Sequence, residues 1–346
     1  AFGGSYGGML SSWFRIKYPH IIDGAIAASA PIWGFPKTYP NPDGAFRYIT
    51  NAASAAGGAT DQCRDNVAAS YPLMNALATS ADGRKLLSET LRLCKPLDED
   101  EASQLINYWQ TPWFFLAEGD YPFPSTYITF SVGPGLIPLP AWPIRKGCAM
   151  GLDNTTGVSF EGNRTDLRYN ITVAGSTGPS FKIGIDWDQT SVIGEDLSYD
   201  ELLQTSLPGV LGGLREAMGM WYNISGDLQC YDIHAQDTES DSGRGAKRSV
   251  SLPGDEVCTA TVSSNAACWD PLCCNEDVRL VNTEVQGVGN DMFWPPSVER
   301  GWTYTELIES AGTTGCRGRW DAKGLFGLPA TSDPWSTWMD DYYGGL

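Results

Sequence analysis

The sequence predicts an α/β protein whose core is split by a large, mainly helical insertion. Three observations predict it. Residues 1–35 read as strand, tight turn, helix and strand, the order a parallel pair needs because its two strands are joined by a crossover. A long block then carries helical periodicity at 61–78, 83–94, 98–109 and 197–222. Strand-and-loop character returns at 269–294 and 301–338. The expected domains are core residues 1–35, an inserted cap over 36–222, and the C-terminal part of the core over 223–346.

Taken in order, the first element ends in the turn Gly3-Gly4-Ser5-Tyr6-Gly7-Gly8. A helix is expected over 9–18, stopped by Pro19. The apolar run at 24–30 suits a buried parallel strand. In the insertion, Asp98, Glu99, Asp100 and Glu101 supply negative charge for a helix N-terminus. Proline-rich stretches follow at 121–124 and 138–143, and 151–180, rich in Gly, Thr and Asn, reads as an exposed loop. Pro208 and the glycines at 209, 212 and 213 are expected to interrupt the helix over 197–222. Residues 235–256 read as a polar surface loop containing the dibasic pair Lys247-Arg248.

Composition narrows the function. The 346 residues carry 23 basic against 41 acidic side chains, a formal charge of −18, which argues against a nucleic-acid partner and is compatible with an acidic lumen. At 42% hydrophobic and 12% aromatic residues, the chain can bury a sizeable core. No stretch resembles a membrane-spanning helix. The nine cysteines form no pair of C-x-x-C units, so a zinc ribbon is not expected, and their odd number leaves at least one without a partner in the chain. Together with N-x-[ST] sequons at Asn154, Asn163, Asn170 and Asn223, they point to the secretory pathway, ending in a lysosome or vacuole or outside the cell. The opening Ala1-Phe2-Gly3-Gly4-Ser5 reads as the middle of a domain, so an incomplete core is expected.

The chemistry is carried by Gly3-x-Ser5-x-Gly7 between a strand and a helix. A nucleophile on so sharp a bend needs small neighbours, and the helix N-terminus supplies positive partial charge to a developing oxyanion. The Tyr6 N–H is the expected oxyanion donor. The plainer alternative is a glycine-rich turn that happens to contain a serine. A serine nucleophile also needs a base. His20 lies fifteen residues along, about 22 Å if the helix is regular. His234 comes before the acidic candidate, whereas hydrolases with this bend run Ser, Asp, His; it reads as a loop histidine without a role. The base is therefore expected beyond Leu346, and the chain as given is expected to be inactive.

Several motifs in order resemble one family. They are Gly3-Gly4-Ser5-Tyr6-Gly7-Gly8-Met9-Leu10, Lys17-Tyr18-Pro19-His20, Ala27-Ala28-Ser29-Ala30-Pro31, Leu93-Cys94-Lys95-Pro96-Leu97, Asp120-Tyr121-Pro122-Phe123, Pro138-Leu139-Pro140-Ala141-Trp142-Pro143-Ile144, Trp221-Tyr222-Asn223-Ile224-Ser225-Gly226, Asn290-Asp291-Met292-Phe293-Trp294-Pro295 and Ser332-Asp333-Pro334-Trp335-Ser336. Over nearly the whole chain this resembles the serine peptidases that include lysosomal Pro-X carboxypeptidase and dipeptidyl peptidase II. The resemblance implies an incomplete α/β-hydrolase core with a helical cap. It also implies an exopeptidase acting near proline, proline-containing peptides as partners, no cofactor or metal, and a homodimer as one admissible assembly. Ser5 would be the nucleophile and Asp333 the carboxylate that orients the histidine. Met9 and Trp335 would line a pocket for the proline ring. Glu284 would bind a substrate terminus or serve as a structural hydrogen-bonding group. Three departures bear on proline preference: Asn282 stands where the family has a cysteine, Gly287 where it often has an apolar residue, and Ala330-Thr331 where it has Asn-Gly. An esterase or lipase of the same fold, and a non-catalytic binding protein, stay open as alternatives. The resemblance leaves open which peptide end is attacked, with 221–226 leaning toward the carboxypeptidase.

Overall fold

The computed structural model describes residues 1–30, 44–126, 137–163, 168–177, 180–186, 189–193, 197–234, 287 and 291–294. The chain divides into two compact units, one of Ala1–Pro42, Glu239–Asn282 and Gly301–Leu346, the other of Asp43–Thr238 and Thr283–Arg300. The protein is of the α/β class.

In the first unit, β1 (Phe2–Gly4) and β2 (Ile26–Ala28) pair in parallel, Phe2 opposite Ile26 and Gly4 opposite Ala28. Helix α1 (Tyr6–Lys17) joins them. It begins at Tyr6, three residues earlier than the sequence suggests, because the Ser5 carbonyl already accepts the Gly8 N–H at 2.9 Å. It ends two residues before Pro19, with Arg15 and Lys17 in its negatively polarised last turn. Its inner face buries Met9 and Trp13, against which Tyr6, Leu10 and Ala30 pack. The parallel strand after the helix is present, but Ile26, Ala27 and Ala28 are exposed rather than buried, Ile26 by 59%. An apolar parallel strand is buried only when layers cover both of its faces, and among the described residues α1 is the one element packed on this pair.

In the second unit the helices are α2 (Gly44–Ala52), α3 (Asp61–Leu77), α4 (Ala81–Thr90), α5 (Ala102–Gln110), α6 (Pro112–Glu118), α7 (Pro143–Gly147), α8 (Tyr199–Leu203) and α9 (Leu207–Tyr222). Their starts follow capping chemistry. The Thr60 hydroxyl accepts the Cys63 N–H and the Ser80 hydroxyl accepts the Gly83 N–H, each ahead of a first-turn aspartate. The Glu201 carboxylate accepts both the N–H and the O–H of Ser198. Helix α5 begins at Ala102, so the acidic run at 98–101 precedes it instead of filling its first turn.

Two sequence expectations fail in this unit for identifiable reasons. Pro208 sits in the first turn of α9, where its missing N–H costs nothing, so it starts that helix rather than breaking it. The glycines at 209 and 213 are there for close approach. A β-carbon on Gly213 would lie 3.1 Å from the Gly151 and Leu152 backbone, and one on Gly209 3.0 Å from Thr155 Cγ2. The supposed loop at 151–180 holds strands. β3 (Val158–Asn163), β4 (Arg168–Val173), β5 (Phe181–Asp186) and β6 (Gln189–Ile193) form an antiparallel meander in that order, so the inserted block is not helical throughout. Tyr169, Ile171 and Val173 on β4 and Phe181, Ile183 and Ile185 on β5 are buried on one face. That period-two alternation was legible, but the Gly, Thr and Asn around it read as loop.

Disulfides Cys63–Cys148 and Cys94–Cys230 close long loops, 85 and 136 residues in sequence, and so restrict the unfolded chain strongly. The core centres on Tyr71, Trp109 and Trp113, all wholly buried. Residues 291–294 dock on the same unit. Phe293 meets Phe46 and Phe114 at ring-centroid distances of 5.3 and 5.2 Å, and the Met292 and Trp294 amides donate to Thr50 Oγ1 and Gln110 Oε1.

Burial pushes the carboxyl groups of Asp120 and its more exposed neighbour Glu118 upward; for Asp120 the Ile144 N–H and Arg145 oppose the shift. A carboxyl raised on folding binds its proton more tightly in the folded state. Its contribution is therefore fully present below the unfolded value and is lost as pH rises through the folded one. Acidification from neutral into the upper carboxylate range is expected to stabilise this unit through these groups. Thermal melts of Glu118→Gln/Asp120→Asn should show a flatter dependence on pH than the parent; an unchanged dependence would remove these carboxyls as the cause.

Candidate active site

Ser5 stands at the junction of β1 and α1 with φ 55° and ψ −130°. A non-glycine residue at positive φ is strained by an amount on the order of 1–3 kcal/mol. The turn is pinned to β2 by the Ser5 N–H, which donates to Ala28 O at 3.0 Å. Serine at a helix N-cap ordinarily accepts an amide from the first turn, but the Ser5 hydroxyl makes no such bond, and the residue is exposed. Tyr6 follows at the first helical position, whose amide has no partner within its own helix. Its ring meets Trp13 edge-on at 6.2 Å, which fixes the first turn against the core.

The glycines around Ser5 are not equivalent. A β-carbon on Gly3 would lie 1.9 Å from the Gly7 carbonyl oxygen and 2.4 Å from Ser11 Oγ. One on Gly8 would lie 3.0 Å from both Ala28 O and Ala30 Cβ. One on Gly7 meets nothing within 4 Å among the described residues, and one on Gly4 approaches only Ala28 O at 3.9 Å. The expected need for small residues on both sides of the nucleophile thus holds at Gly3 and Gly8, and Gly7 is not required by packing here. Gly3→Ala is expected to destabilise the turn by at least about 3 kcal/mol, whereas Gly7→Ala should be tolerated. Protease resistance of the 1–17 segment would separate them; equal resistance of both variants would contradict this reading.

Met9 lies one turn beyond Ser5, its N–H 3.3 Å from the Ser5 carbonyl, and its side chain is wholly buried. Asp333, Trp335 and Glu284 lie outside the described residues, as do Asn282, Ala330 and Thr331. Gly287 is described, with φ 73°, and its N–H donates to both oxygens of the buried Asp291 carboxylate at 3.1 Å. The missing side chain at 287 therefore serves a left-handed turn that an L-residue adopts poorly.

Of the two histidines, His20 is exposed beyond the far end of α1, which separates it from Ser5 by the whole helix, and its ring lies 6.4 Å from that of Tyr18. His234 is not the idle loop residue that the sequence suggests: its Nε2 lies 2.8 Å from Glu101 Oε1. Chain position gave no hint of that pairing, because 133 residues separate the partners and no local motif links them.

Among the sequons, Asn154 is exposed in a turn, Asn163 ends β3, and Asn170 lies in β4 between buried neighbours. Asn223 bonds the Leu228 backbone through both ends of its carboxamide, at 3.2 and 2.8 Å. No helix among the described residues is long and apolar enough to cross a membrane.

Residues 1–161 match the family described as serine carboxypeptidase S28. The chain is similar to lysosomal Pro-X carboxypeptidase of Homo sapiens, 28% identical over 345 residues that cover 100% of this chain and 48% of the human protein. The protein of the same name from Bos taurus is 40% identical over 149 residues, 43% of this chain and 28% of that protein. The chain thus spans about half the length of the first of these relatives.

Proposed function

Residues 1–161 belong to the serine carboxypeptidase S28 family, and on that footing we propose that the protein is a serine exopeptidase that cleaves peptides beside proline through an acyl-enzyme. The observation that carries the proposal is Ser5 itself: an exposed hydroxyl, not spent on capping its helix, on a residue held at positive φ where a strand meets a helix. In this reading Ser5 Oγ attacks the scissile carbonyl and a histidine takes its proton. The oxyanion accepts the Tyr6 N–H at the positive end of α1. Collapse expels the amine, which receives the proton, and water then attacks the acyl ester to restore Ser5.

Asp333 orients the histidine and stabilises its charged form. Met9 and Trp335 receive the proline ring, and Glu284 holds a substrate terminus. The 36–222 insertion serves as the cap that limits access to chain ends. Glycans on Asn154, Asn163, Asn170 and Asn223, a lysosomal or other acidic destination and a homodimeric assembly complete the proposal. Support comes from the relatives named lysosomal Pro-X carboxypeptidase and from the two disulfides, which form in oxidising compartments.

The test is substrate turnover. Blocked dipeptides ending in Pro-Phe should be hydrolysed at least about tenfold more efficiently than their Ala-Phe counterparts. Release of N-terminal dipeptides instead would favour an aminodipeptidase, and turnover of short-chain esters without peptides would replace the proposal with an esterase.

A further inference from the structure

Residues 229–234 leave the end of α9 and run as a strap along residues 92–104 of the same unit. Cys230 is bonded to Cys94. The Tyr231 N–H donates to Arg92 O at 2.8 Å and the Cys94 N–H donates to Tyr231 O at 2.9 Å, a short parallel bridge. Gln104 Nε2 donates to Ile233 O at 3.4 Å. The end of the strap is held by His234, whose Nε2 lies 2.8 Å from Glu101 Oε1. The Glu101 side chain is only 16% exposed, and its other oxygen accepts the Asp98 N–H at 2.8 Å, so the receiving carboxylate is fixed before the imidazole arrives.

We propose that the His234–Glu101 contact is a latch that tightens in acid and holds the strap on α5. Among these attachments it is the one that changes charge near neutrality. Imidazoles as a class gain a proton between about pH 8 and 5, while carboxylates stay ionised down to about pH 4.5. In that interval a hydrogen bond from a neutral donor becomes a charge-assisted one, roughly twice as strong. The charged groups that share the cleft with the imidazole are Lys95 and Asp98 from the 93–98 segment, Glu101 at the start of α5, and Asp232 on the strap itself. An imidazolium there faces three carboxylates and one ammonium. Asp232 Oδ1 also accepts the His234 N–H at 3.0 Å and so holds the backbone in the latched position. The strap lies just before Thr238, where the chain leaves this unit for the other one. The latch therefore governs the anchoring of the exit segment, and it stands whether or not the peptidase reading does.

Hydrogen exchange on the whole protein tests it, read as protection factors at the Cys94 and Tyr231 amides relative to amides in α3. Protection is expected to be about 3- to 10-fold higher at pH 5 than at pH 7.5. His234→Gln, which keeps a neutral donor, should abolish that difference, and so should Glu101→Gln. A parent protein without the difference, or a His234→Gln variant that retains it, would overturn the proposal. Should Glu101→Gln fold poorly, the His234→Gln comparison decides alone.

Discussion

Replacing Ser5 with alanine is expected to lower peptide hydrolysis by at least about 10⁴-fold, the scale seen when a serine nucleophile is removed. Alanine keeps the β-carbon, so the backbone remains at positive φ and the Ser5 N–H still reaches Ala28 O. Only the hydroxyl is lost, and it makes no cap bond whose loss could unfold the helix. Stability should change by less than about 0.5 kcal/mol. Ser5→Gly separates chemistry from strain. It is equally inactive, but relief of the positive φ should raise stability by about 1 kcal/mol. A site that becomes more stable as it becomes inert is the signature of strain retained for function. If Ser5→Ala kept substantial activity, the strained turn would have some other explanation.

The second large effect concerns the core of the other unit. Trp113→Ala is expected to cost about 3–5 kcal/mol. Trp113 is wholly buried, and its indole N–H donates to the Tyr71 hydroxyl at 3.0 Å. Tyr71 is wholly buried as well, and burial drives its ionisation far upward, so its hydroxyl stays neutral and depends on this partner. Truncation leaves both a cavity and an unpaired buried hydroxyl. Trp113→Phe fills most of the volume but still orphans Tyr71, and should cost about 1–3 kcal/mol. Urea unfolding followed through the second unit would measure both; a loss below about 1 kcal/mol for Trp113→Ala would mean that the site collapses around the gap.

How much was legible beforehand depended on whether the determining interaction was local. The nucleophile turn was readable because Gly3, Ser5 and the start of α1 lie within four residues and obey one backbone constraint. Helix α3 was readable to within a residue because the Thr60 cap, Asp61 and the apolar spacing all agree. The β3–β6 meander was misread because composition masked a clean alternation. Pro208 was misread because the same residue breaks a helix interior and begins a helix, and only the position of the helix start tells which. The partner of His234 could not be read at all, since the pairing is set by how α5 and the strap pack and not by sequence spacing. Gly287 was read for the side chain it lacks, whereas its positive φ and the Asp291 carboxylate account for it.

The most direct test is to treat the active protein with a fluorophosphonate and map the adduct by peptide mass spectrometry. One stoichiometric adduct is expected, on Ser5 in the peptide spanning the strand–helix turn. Labelling of a different serine, or full peptidase activity in protein whose Ser5 is unmodified after complete labelling, would contradict the assignment of that hydroxyl as the nucleophile.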